Sequence, residues 1–426
     1  MRWVLLWFLV LGLGASVHAY PLDGYEYTGI RRLEFYRLAA LGEVRGRQLP
    51  PGGLLSMQEV RPRGIGLPKD FDFASDPDMS AEIKTMLGAE ANRYSIALLD
   101  MSDADNPVYA EHNAAVKVNV GSVGKMLVGL AVFQRLHDLY PDDVLARERI
   151  LKNAQVVADG FIQRPSHKVV FWYPDTRTMT FRLLQEGDTA SLWEYLDWVY
   201  SASSNAAAAM VMKHLVLMQH SAHAYPVSQA DADDFFESTS RTELGKLFEQ
   251  VMTGALVKNG FDPNLIRQGS FFTREGKRRV AGKTSYATPR ELLRLVYKLE
   301  TGQLVDEWSS REMKRLMYMT QKRIRYASHP ALNNAAVYFK SGSLYSCVPE
   351  EGFVCGKYMG NKRNLLASLA LVEAPAKDPQ YRYIVVVSSN VLRVNSAVAH
   401  QTLAMRIHRM IQRRHLSPVR CSPDRK

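Results

Sequence analysis

The chain of 426 residues contains few cysteines, no acidic excess and no glycine-rich phosphate loop. Three cysteines are too few for the disulfide framework of a small secreted domain. Hydrophobic residues make up 46% and charged residues 23%, which are ordinary values for a globular protein. These values exclude a disordered chain, a collagen-like repeat and a polytopic membrane protein. The length is sufficient for one large domain or two smaller ones, each with an ample core.

The start of the chain has the parts of a secretory signal peptide. Met1 and Arg2 precede an apolar run over 3–13, and a small-x-small sequence ends at Ala19. The run is too short to span a bilayer comfortably. We therefore expect cleavage after Ala19, with an uncleaved anchor as the alternative. The mature protein is expected to work outside the cytoplasm, in the periplasm if the source is Gram-negative.

The charge of the chain is basic: 54 Lys and Arg against 43 Asp and Glu give +11. The densest basic run covers 406–420, where arginines alternate with apolar residues at helical spacing. This pattern is typical of the solvated face of a C-terminal helix. No nucleic-acid partner is expected, because a secreted protein rarely meets one. A basic face could favour an anionic envelope surface instead.

Disulfides are permitted in the expected compartment. Cys347 and Cys355 lie eight residues apart around a proline and a glycine, so this pair could staple the tip of a hairpin. Cys421 is left over in the tail, as a free thiol or a dimer link. Three free thiols are the alternative.

The chain divides into a signal peptide over 1–19, an extension over 20–75, a catalytic domain over 76–415 and a basic tail over 416–426. Strand patterns at both ends of the domain frame a mostly helical centre. This order predicts an α/β fold whose antiparallel sheet comes from the N- and C-terminal parts, with helices flanking it and an inserted all-helical lobe. The predicted strands are 94–101, 108–112, 337–344, 365–372 and 383–388. The predicted helices are 123–140, 192–200, 206–218, 241–257, 289–299 and 398–414.

The first candidate for chemistry is Ser122-Val123-Gly124-Lys125, where a predicted helix starts. Residues three apart share a helix face, so Lys125 can reach the Ser122 hydroxyl. A serine becomes a good nucleophile only when a neighbour takes its proton, and a lysine with a lowered pKa can do so. The helix N-terminus adds free N–H groups that suit a developing oxyanion.

Two further motifs follow along the chain. Ser203-Ser204-Asn205 lies where two predicted helices meet, and could relay a proton and hold a substrate amide. Simple N-capping is the alternative use of these residues. The strand 337–344 contains Lys340-Ser341-Gly342. A glycine inside a strand is expected where another chain must approach closely.

The order and placement of the three motifs resemble class A β-lactamases and penicillin-binding proteins, over about residues 85–415. The resemblance implies an acyl-enzyme mechanism with no metal and no cofactor. The implied catalytic roles are Ser122 as the acylated nucleophile, Lys125 as its base or base partner and Ser203 as the proton shuttle. The implied substrate contacts are Asn205 for a substrate amide, Lys340 and Ser341 for a substrate carboxylate, Gly342 for close approach and the N–H of Ser343 as the second oxyanion donor.

The sequence departs from class A at the deacylation base. No Glu-x-x-Leu-Asn loop precedes the Thr288-Pro289 helix, and Glu275 is the only carboxylate in the corresponding stretch, 269–282. Glu275 is therefore a candidate water-activating base, with a solvated loop charge as the alternative. Longer intervening segments, 141–190 and 219–265, could reshape the site. Their aromatic residues, and those next to Glu275, could line it: Phe171, Trp172, Tyr173, Phe271 and Phe272.

The sequence thus predicts a secreted serine hydrolase of the class A type that cleaves a β-lactam or similar amide through acyl-Ser122. The substrate is expected to be a small molecule or peptide with a carboxylate. A D,D-peptidase acting on D-alanyl cell-wall peptides is the first alternative. A sensor that is acylated without turnover is the second, and a structural envelope protein the third. His214, His220 and His223 cluster in sequence but follow no metal-binding motif, so no metal site is expected.

Overall fold

The structure, a computed structural model, describes residues 23–46, 50–320 and 323–416. The predicted signal peptide and Cys421 lie outside these ranges, as does all of the basic tail beyond residue 416. No helix within the described ranges is long and apolar enough to cross a membrane.

Thirteen α-helices are present in the described ranges. They are α1 Gly24–Thr28, α2 Arg31–Ala40, α3 Pro77–Leu87, α4 Lys125–Leu139, α5 Val144–Asn153, α6 Leu192–Tyr200, α7 Asn205–Ser221, α8 Gln229–Ser238, α9 Arg241–Lys258, α10 Arg274–Arg279, α11 Pro289–Glu300, α12 Glu307–Tyr318 and α13 Ser396–Leu416.

Eleven strands accompany them in the same ranges. They are β1 Tyr94–Asp100, β2 Val108–His112, β3 Gln155–Val157, β4 Val169–Tyr173, β5 Thr178–Arg182, β6 Thr189–Ser191, β7 Ile266–Arg267, β8 Tyr286–Ala287, β9 Ala336–Ser346, β10 Arg363–Ala374 and β11 Tyr381–Asn390.

A five-stranded antiparallel sheet in the order β2-β1-β11-β10-β9 forms the centre of the fold. Its strands come from the two ends of the catalytic domain, because β1 pairs directly with β11. One face packs on α3 and α13, and the other joins the core of the helical lobe. Both faces are thus covered, and this explains why β1 is buried along its whole length. The observed sheet confirms the predicted α/β architecture.

The centre of the chain is less purely helical than predicted. The short pairs β3–β6, β4–β5 and β7–β8 lie within it. β4 reads Val-Val-Phe-Trp-Tyr, a β-branched and aromatic run that favours a strand. In the segment 118–122, between the β1–β2 hairpin and α4, Val118 forms an isolated bridge to Ala287. Residues 121–124 form a 3₁₀ turn, and α4 begins at Lys125 rather than at residue 123.

The N-terminal extension packs into the catalytic domain. Its apolar side chains, among them Ile30, Leu33 and Val60, belong to the same buried cluster as α4, α6 and α7. Trp172 of β4 packs on Phe35 of α2, with ring centres 5.4 Å apart. Residues 23–46 therefore contribute to the main core.

Cys347 and Cys355 form a disulfide in the connection between β9 and β10. The same connection contains Lys357 and Tyr358, and the Tyr358 ring lies 6.5 Å from that of Tyr345 on β9. The disulfide thus closes a short loop next to the last residues of β9.

Candidate active site

The residues that precede and begin α4 carry the first part of the site. The 3₁₀ turn Gly121–Gly124 runs directly into α4 at Lys125. The Lys125 side-chain nitrogen donates a hydrogen bond of 2.9 Å to the Ser122 hydroxyl. Lys125 is fully buried, whereas Ser122 is partly exposed. The structure therefore presents a serine hydroxyl with a buried amine directly behind it.

The surroundings of Lys125 favour its neutral form. Burial first, and the positive charge of Lys340 second, hold the pKa of Lys125 well below its usual range. Its nitrogen also donates a 2.7 Å hydrogen bond to the Asn205 side-chain oxygen, which fixes its position. A neutral amine in this place can take the proton of the Ser122 hydroxyl.

The second motif lies at the start of α7. Ser204 caps this helix by accepting a hydrogen bond from the Ala207 N–H, so the N-capping alternative accounts for Ser204. Ser203 has a left-handed backbone with φ of 57°, and its hydroxyl accepts a 2.7 Å hydrogen bond from Lys340. Burial and the nearby Arg325 lower the pKa of Lys340 to about 7. The motif thus separates into a helix cap and a hydroxyl held by a lysine.

The backbone of strand β9 packs directly against the 3₁₀ turn that contains Ser122. A Cβ added to Gly342 would lie 2.4 Å from the Ser122 nitrogen and 2.7 Å from the Val120 oxygen, so only glycine fits there. A Cβ added to Gly121 would lie 3.7 Å from the Ser343 nitrogen. The N–H groups of Ser122 and Ser343 therefore belong to adjoining backbone segments, an arrangement suited to holding an oxyanion.

Arg325 is a residue of this site that the sequence analysis missed. Its guanidinium donates hydrogen bonds of 2.6 Å to the Ser341 hydroxyl and 3.0 Å to the Ser343 hydroxyl. A third bond of 3.0 Å reaches the Tyr358 hydroxyl. Arg325 has φ of 53°, an uncommon value for an arginine. With Lys340 it makes the edge of β9 strongly positive. No motif marks it, because it precedes β9 in an irregular segment.

His167 is a second residue that the sequence analysis missed. It lies just before β4 and hydrogen-bonds through Nδ1 with the Ser166 hydroxyl at 3.0 Å. Partial burial lowers its pKa to about 4, and the charges of Lys125, Lys340 and Arg325 add to this shift. The imidazole therefore shares the electrostatic environment of the Ser122 site and is neutral at pH 7. A lone histidine between Ser166 and Lys168 gave no sequence signal.

Glu275 lies in α10, where its carboxylate is held by two arginines. It accepts hydrogen bonds from Arg278 at 2.5 and 2.8 Å and from Arg279 at 2.7 Å. These bonds lower its pKa to about 2, so the carboxylate is a weak base. In the described residues no carboxylate hydrogen-bonds to Ser122 or Lys125. The geometry therefore argues against Glu275 as a water-activating base.

The aromatic residues proposed as lining occupy different places. Phe272 reaches the site: its ring centre lies 4.1 Å from the Lys125 side-chain nitrogen. Phe271 packs in the core against Phe248, and Trp172 packs against the extension. Phe171 contacts Trp198 at 5.1 Å between ring centres. Tyr173 stacks on Phe171, with ring centres 6.5 Å apart. Within the described residues, only Phe272 of these five has a ring contact with Ser122, Lys125 or Lys340.

The three clustered histidines serve packing. His214 is half-buried and hydrogen-bonds with the Tyr225 hydroxyl, while His220 stacks on Phe235 and the His223 ring contacts Tyr140 edge-on. Across the described part of the chain, no group of three or more His, Cys, Asp or Glu residues is arranged to hold a metal ion.

The model of the β-lactamase enzyme family matches residues 78–393. The chain belongs to this family. The match covers every motif residue of the site, from Ser122 to Ser343, and confirms the resemblance seen in the three motifs. It begins just inside α3 and ends after β11, so the extension and all of α13 lie outside it.

Solved structures that resemble this chain include both β-lactamases and PBP-A. TLA-3 extended-spectrum β-lactamase is 14% identical, with a TM-score of 0.49, covering 79% of this chain and 98% of its own. The β-lactamase of Sphaerobacter thermophilus is 15% identical, with a TM-score of 0.48 and coverages of 80% and 99%. PBP-A is 12% identical, with a TM-score of 0.47 and coverages of 80% and 99%. No curated protein sequence matches this chain.

Proposed function

We propose that the protein is a serine hydrolase that cleaves an amide through an acyl-Ser122 intermediate. The observation that carries this proposal is the buried Lys125 amine, fixed between the Ser122 hydroxyl at 2.9 Å and the Asn205 amide oxygen at 2.7 Å. A side chain that only packed would not need a buried, unneutralised amine, because burying a charge without a partner is costly. The burial of the Lys125 amine is accounted for if this amine activates the Ser122 hydroxyl.

Acylation uses four parts of the site: the Ser122 hydroxyl, the Lys125 amine, a pair of backbone N–H groups and the Ser203 hydroxyl. Ser122 Oγ attacks the carbonyl carbon, and its proton passes to the Lys125 nitrogen. The carbonyl oxygen takes the negative charge and is held by the N–H groups of Ser122 and Ser343. The bond to the leaving nitrogen then breaks, and that nitrogen receives a proton from the Ser203 hydroxyl. Lys340 holds the Ser203 hydroxyl for this step by a hydrogen bond of 2.7 Å. The proton that Lys125 took from Ser122 then passes to Ser203 and replaces the one that Ser203 gave up.

The substrate is proposed to carry a carboxylate next to the amide. Lys340, Arg325 and the hydroxyl of Ser341 lie together on the edge of β9, and Arg325 donates to Ser341 at 2.6 Å. Guanidinium and ammonium groups bind a carboxylate by charge-assisted hydrogen bonds. β-Lactams and D-alanyl peptides both present a carboxylate in this relation to the amide, so both remain candidate substrates.

The rate of deacylation distinguishes the two versions of the enzyme, a β-lactamase and a D,D-peptidase. A fast β-lactamase needs a base that activates water beside the acyl bond. Phe272 contacts Lys125, and Glu275 is bound to two arginines. These contacts favour a long-lived acyl-enzyme with penicillin, the behaviour of a penicillin-binding D,D-peptidase. The place of action proposed for either version is the periplasm, with the cell wall as the source of peptide substrates.

Intact-protein mass spectrometry with benzylpenicillin tests the proposal. Purified protein is expected to gain the mass of one penicillin, and Ser122→Ala is expected to gain none. Ser238→Ala, which changes an exposed serine at the end of α8, serves as the matched control and should be acylated normally. A persistent adduct supports the penicillin-binding version, and a transient adduct with released product supports the β-lactamase version. An adduct that forms equally on Ser122→Ala, or no adduct with either penicillin or a D-alanyl-D-alanine peptide, would refute the proposal.

A further inference from the structure

A second polar cleft lies apart from the Ser122 site. Its volume is 810 Å³, and four distant parts of the chain form its walls: the extension near residue 61, the end of β1, helix α12 and the β10–β11 connection. Five arginines line it, namely Arg61, Arg63, Arg311, Arg315 and Arg382. None of the three catalytic motifs contributes a residue to this lining.

The arginines of this cleft, called here the arginine cleft, are only partly neutralised. Three of the five are paired with carboxylates: Arg63 with Glu373 at 3.3 Å, and Arg311 and Arg315 with Glu312 at 3.3 and 2.6 Å. The lining itself adds two carboxylates, Glu307 and Asp378, both exposed. Among the described residues, the Arg382 guanidinium donates to the carbonyl oxygens of Arg63 and Met101 and to no carboxylate. Among the same residues, the exposed Arg61 guanidinium forms no hydrogen bond and no ion pair. Positive charge is therefore available to an added anion.

The floor of the arginine cleft is rigid. Arg315 donates two hydrogen bonds to the Met57 carbonyl, at 2.6 and 3.0 Å, and one of 2.6 Å to Glu312. Beneath it, Lys314 is completely buried between Glu300 and Glu373, at 2.6 Å from each. Fixed guanidinium groups lose little freedom when they bind an anion, which improves affinity.

The sheet register separates this cleft from the catalytic residues. Arg382 pairs with Glu373, and Lys340 pairs with Leu369, four residues further along β10. Four residues of strand correspond to roughly 13 Å. A ligand in the arginine cleft would therefore lie beyond direct contact with Ser122.

We propose that the arginine cleft binds an anion that carries two or more phosphate groups. A guanidinium matches a phosphate with two parallel hydrogen bonds, and phosphate carries more charge than a carboxylate of similar size. Five arginines on three segments, the extension, α12 and β11, exceed what a single phosphate can use. The same chemistry is found in soluble phosphate esters and in the head groups of anionic lipids, and the test distinguishes these sources.

Calorimetric titration with inorganic pyrophosphate, at constant ionic strength, tests the proposal. The variant Arg61→Gln/Arg311→Gln removes two exposed or half-exposed guanidinium groups from the cleft. The matched control Arg409→Gln/Arg414→Gln removes two exposed guanidinium groups from α13. Pyrophosphate binding is expected to weaken ten-fold or more in the cleft variant and to stay unchanged in the control.

Sedimentation with vesicles that contain cardiolipin, an anionic lipid with two phosphate groups, compared with phosphatidylcholine vesicles, forms the second arm. Binding to cardiolipin vesicles that depends on Arg61 and Arg311 assigns the ligand to lipid head groups, and pyrophosphate binding without vesicle binding assigns it to soluble esters. Equal affinities of the cleft and control variants, or no binding of either probe, would overturn the proposal. Acylation of Ser122 by penicillin should be the same in both variants, so this test does not depend on the proposed enzymatic activity.

Discussion

The side-chain nitrogen of Lys125 lies 4.1 Å from the centre of the Phe272 ring. Lys125 hydrogen-bonds to Ser122 and Asn205, and the aromatic ring adds an apolar contact beside these bonds. An aromatic ring attracts a cation weakly, but it cannot accept a proton from water. Phe272 thus adds to the burial of Lys125 and provides no base for the hydrolysis of an acyl-enzyme.

Replacement of Phe272 by glutamate is expected to shorten the lifetime of the penicillin adduct. A carboxylate at this position could activate a water beside acyl-Ser122, and general base catalysis typically contributes about 10²–10⁴-fold. The carboxylate would also raise the pKa of Lys125, so acylation should become slower while deacylation becomes faster. Stopped-flow acylation and the decay of the adduct mass measure the two rates separately.

Phe272→Gln is the control for this change, because glutamine has the same size as glutamate and no charge. It should leave the adduct as stable as in the unmodified protein. Equal adduct lifetimes in the glutamate and glutamine variants would show that the position does not face the acyl bond.

The rate of acylation by a carboxylate-bearing substrate is expected to fall as the pH rises through about 7. Burial and Arg325 lower the pKa of Lys340 to about 7, so Lys340 is a cation below this pH and neutral above it. Loss of the charge weakens the attraction for the substrate carboxylate. The pH dependence of the second-order acylation rate constant reports ionisations of the free enzyme and measures this effect.

The Lys340→Arg variant separates charge from position. A guanidinium stays charged over the whole range, so the decrease near pH 7 should disappear even if the overall rate is lower. Lys362→Arg, at an exposed position, should keep the original profile. A decrease that persists in Lys340→Arg would assign the ionisation to another group.

His167→Glu is expected to slow acylation by a carboxylate-bearing substrate at pH 7. The imidazole is neutral there, since its pKa is lowered to about 4 by partial burial and by neighbouring cations, with Lys125 and Lys340 among them. A negative charge in its place would raise the pKa of Lys125, so the rising part of the pH profile should move to higher pH. It would also repel the substrate carboxylate and increase KM.

Kinetics of His167→Gln, measured in parallel, give the comparison for the added charge. The glutamine variant should keep the pH at which the acylation rate rises. If the glutamate and glutamine variants had the same profile, the side chain at 167 would be too far from the lysines to influence them.

The motifs predicted the Ser122 half of the site because its chemistry depends on short sequence spacings. Ser122 and Lys125 are three residues apart, and a helical turn is enough to bring them together. Arg325 and His167 were not predicted, because tertiary folding brings them to the site. Arg325 reaches Ser341 from an irregular segment, and no local pattern records that contact.

The N-terminal extension shows that local sequence patterns also miss parts of the fold that depend on distant contacts. Helix α2 was not predicted, because Arg32 occupies its buried face and weakens the apolar periodicity that marks a helix. The partner that makes this arginine acceptable in the core is Asp197, 165 residues away. In contrast, β1 was predicted closely, since its apolar run is continuous.

Arg32 and Asp197 form a buried ion pair, with two hydrogen bonds of 2.6 Å and exposures of 1% and 0%. Asp197 also accepts a hydrogen bond of 3.3 Å from the Ser201 hydroxyl, two residues before Ser203. The pair therefore links the N-terminal extension to the loop that carries the proposed proton shuttle.

Arg32→Met is expected to destabilise the protein by about 3–5 kcal/mol, because it leaves the Asp197 carboxylate buried without its counter-charge. The double variant Arg32→Met/Asp197→Leu removes both charges and should recover most of this loss. Urea unfolding measures the stability of each variant. If the single and double variants were equally unstable, packing of the arginine stem, rather than the unpaired charge, would account for the loss. Acylation of the double variant should still be slower than normal, since Ser201 loses its acceptor and the Ser203 loop is held less firmly.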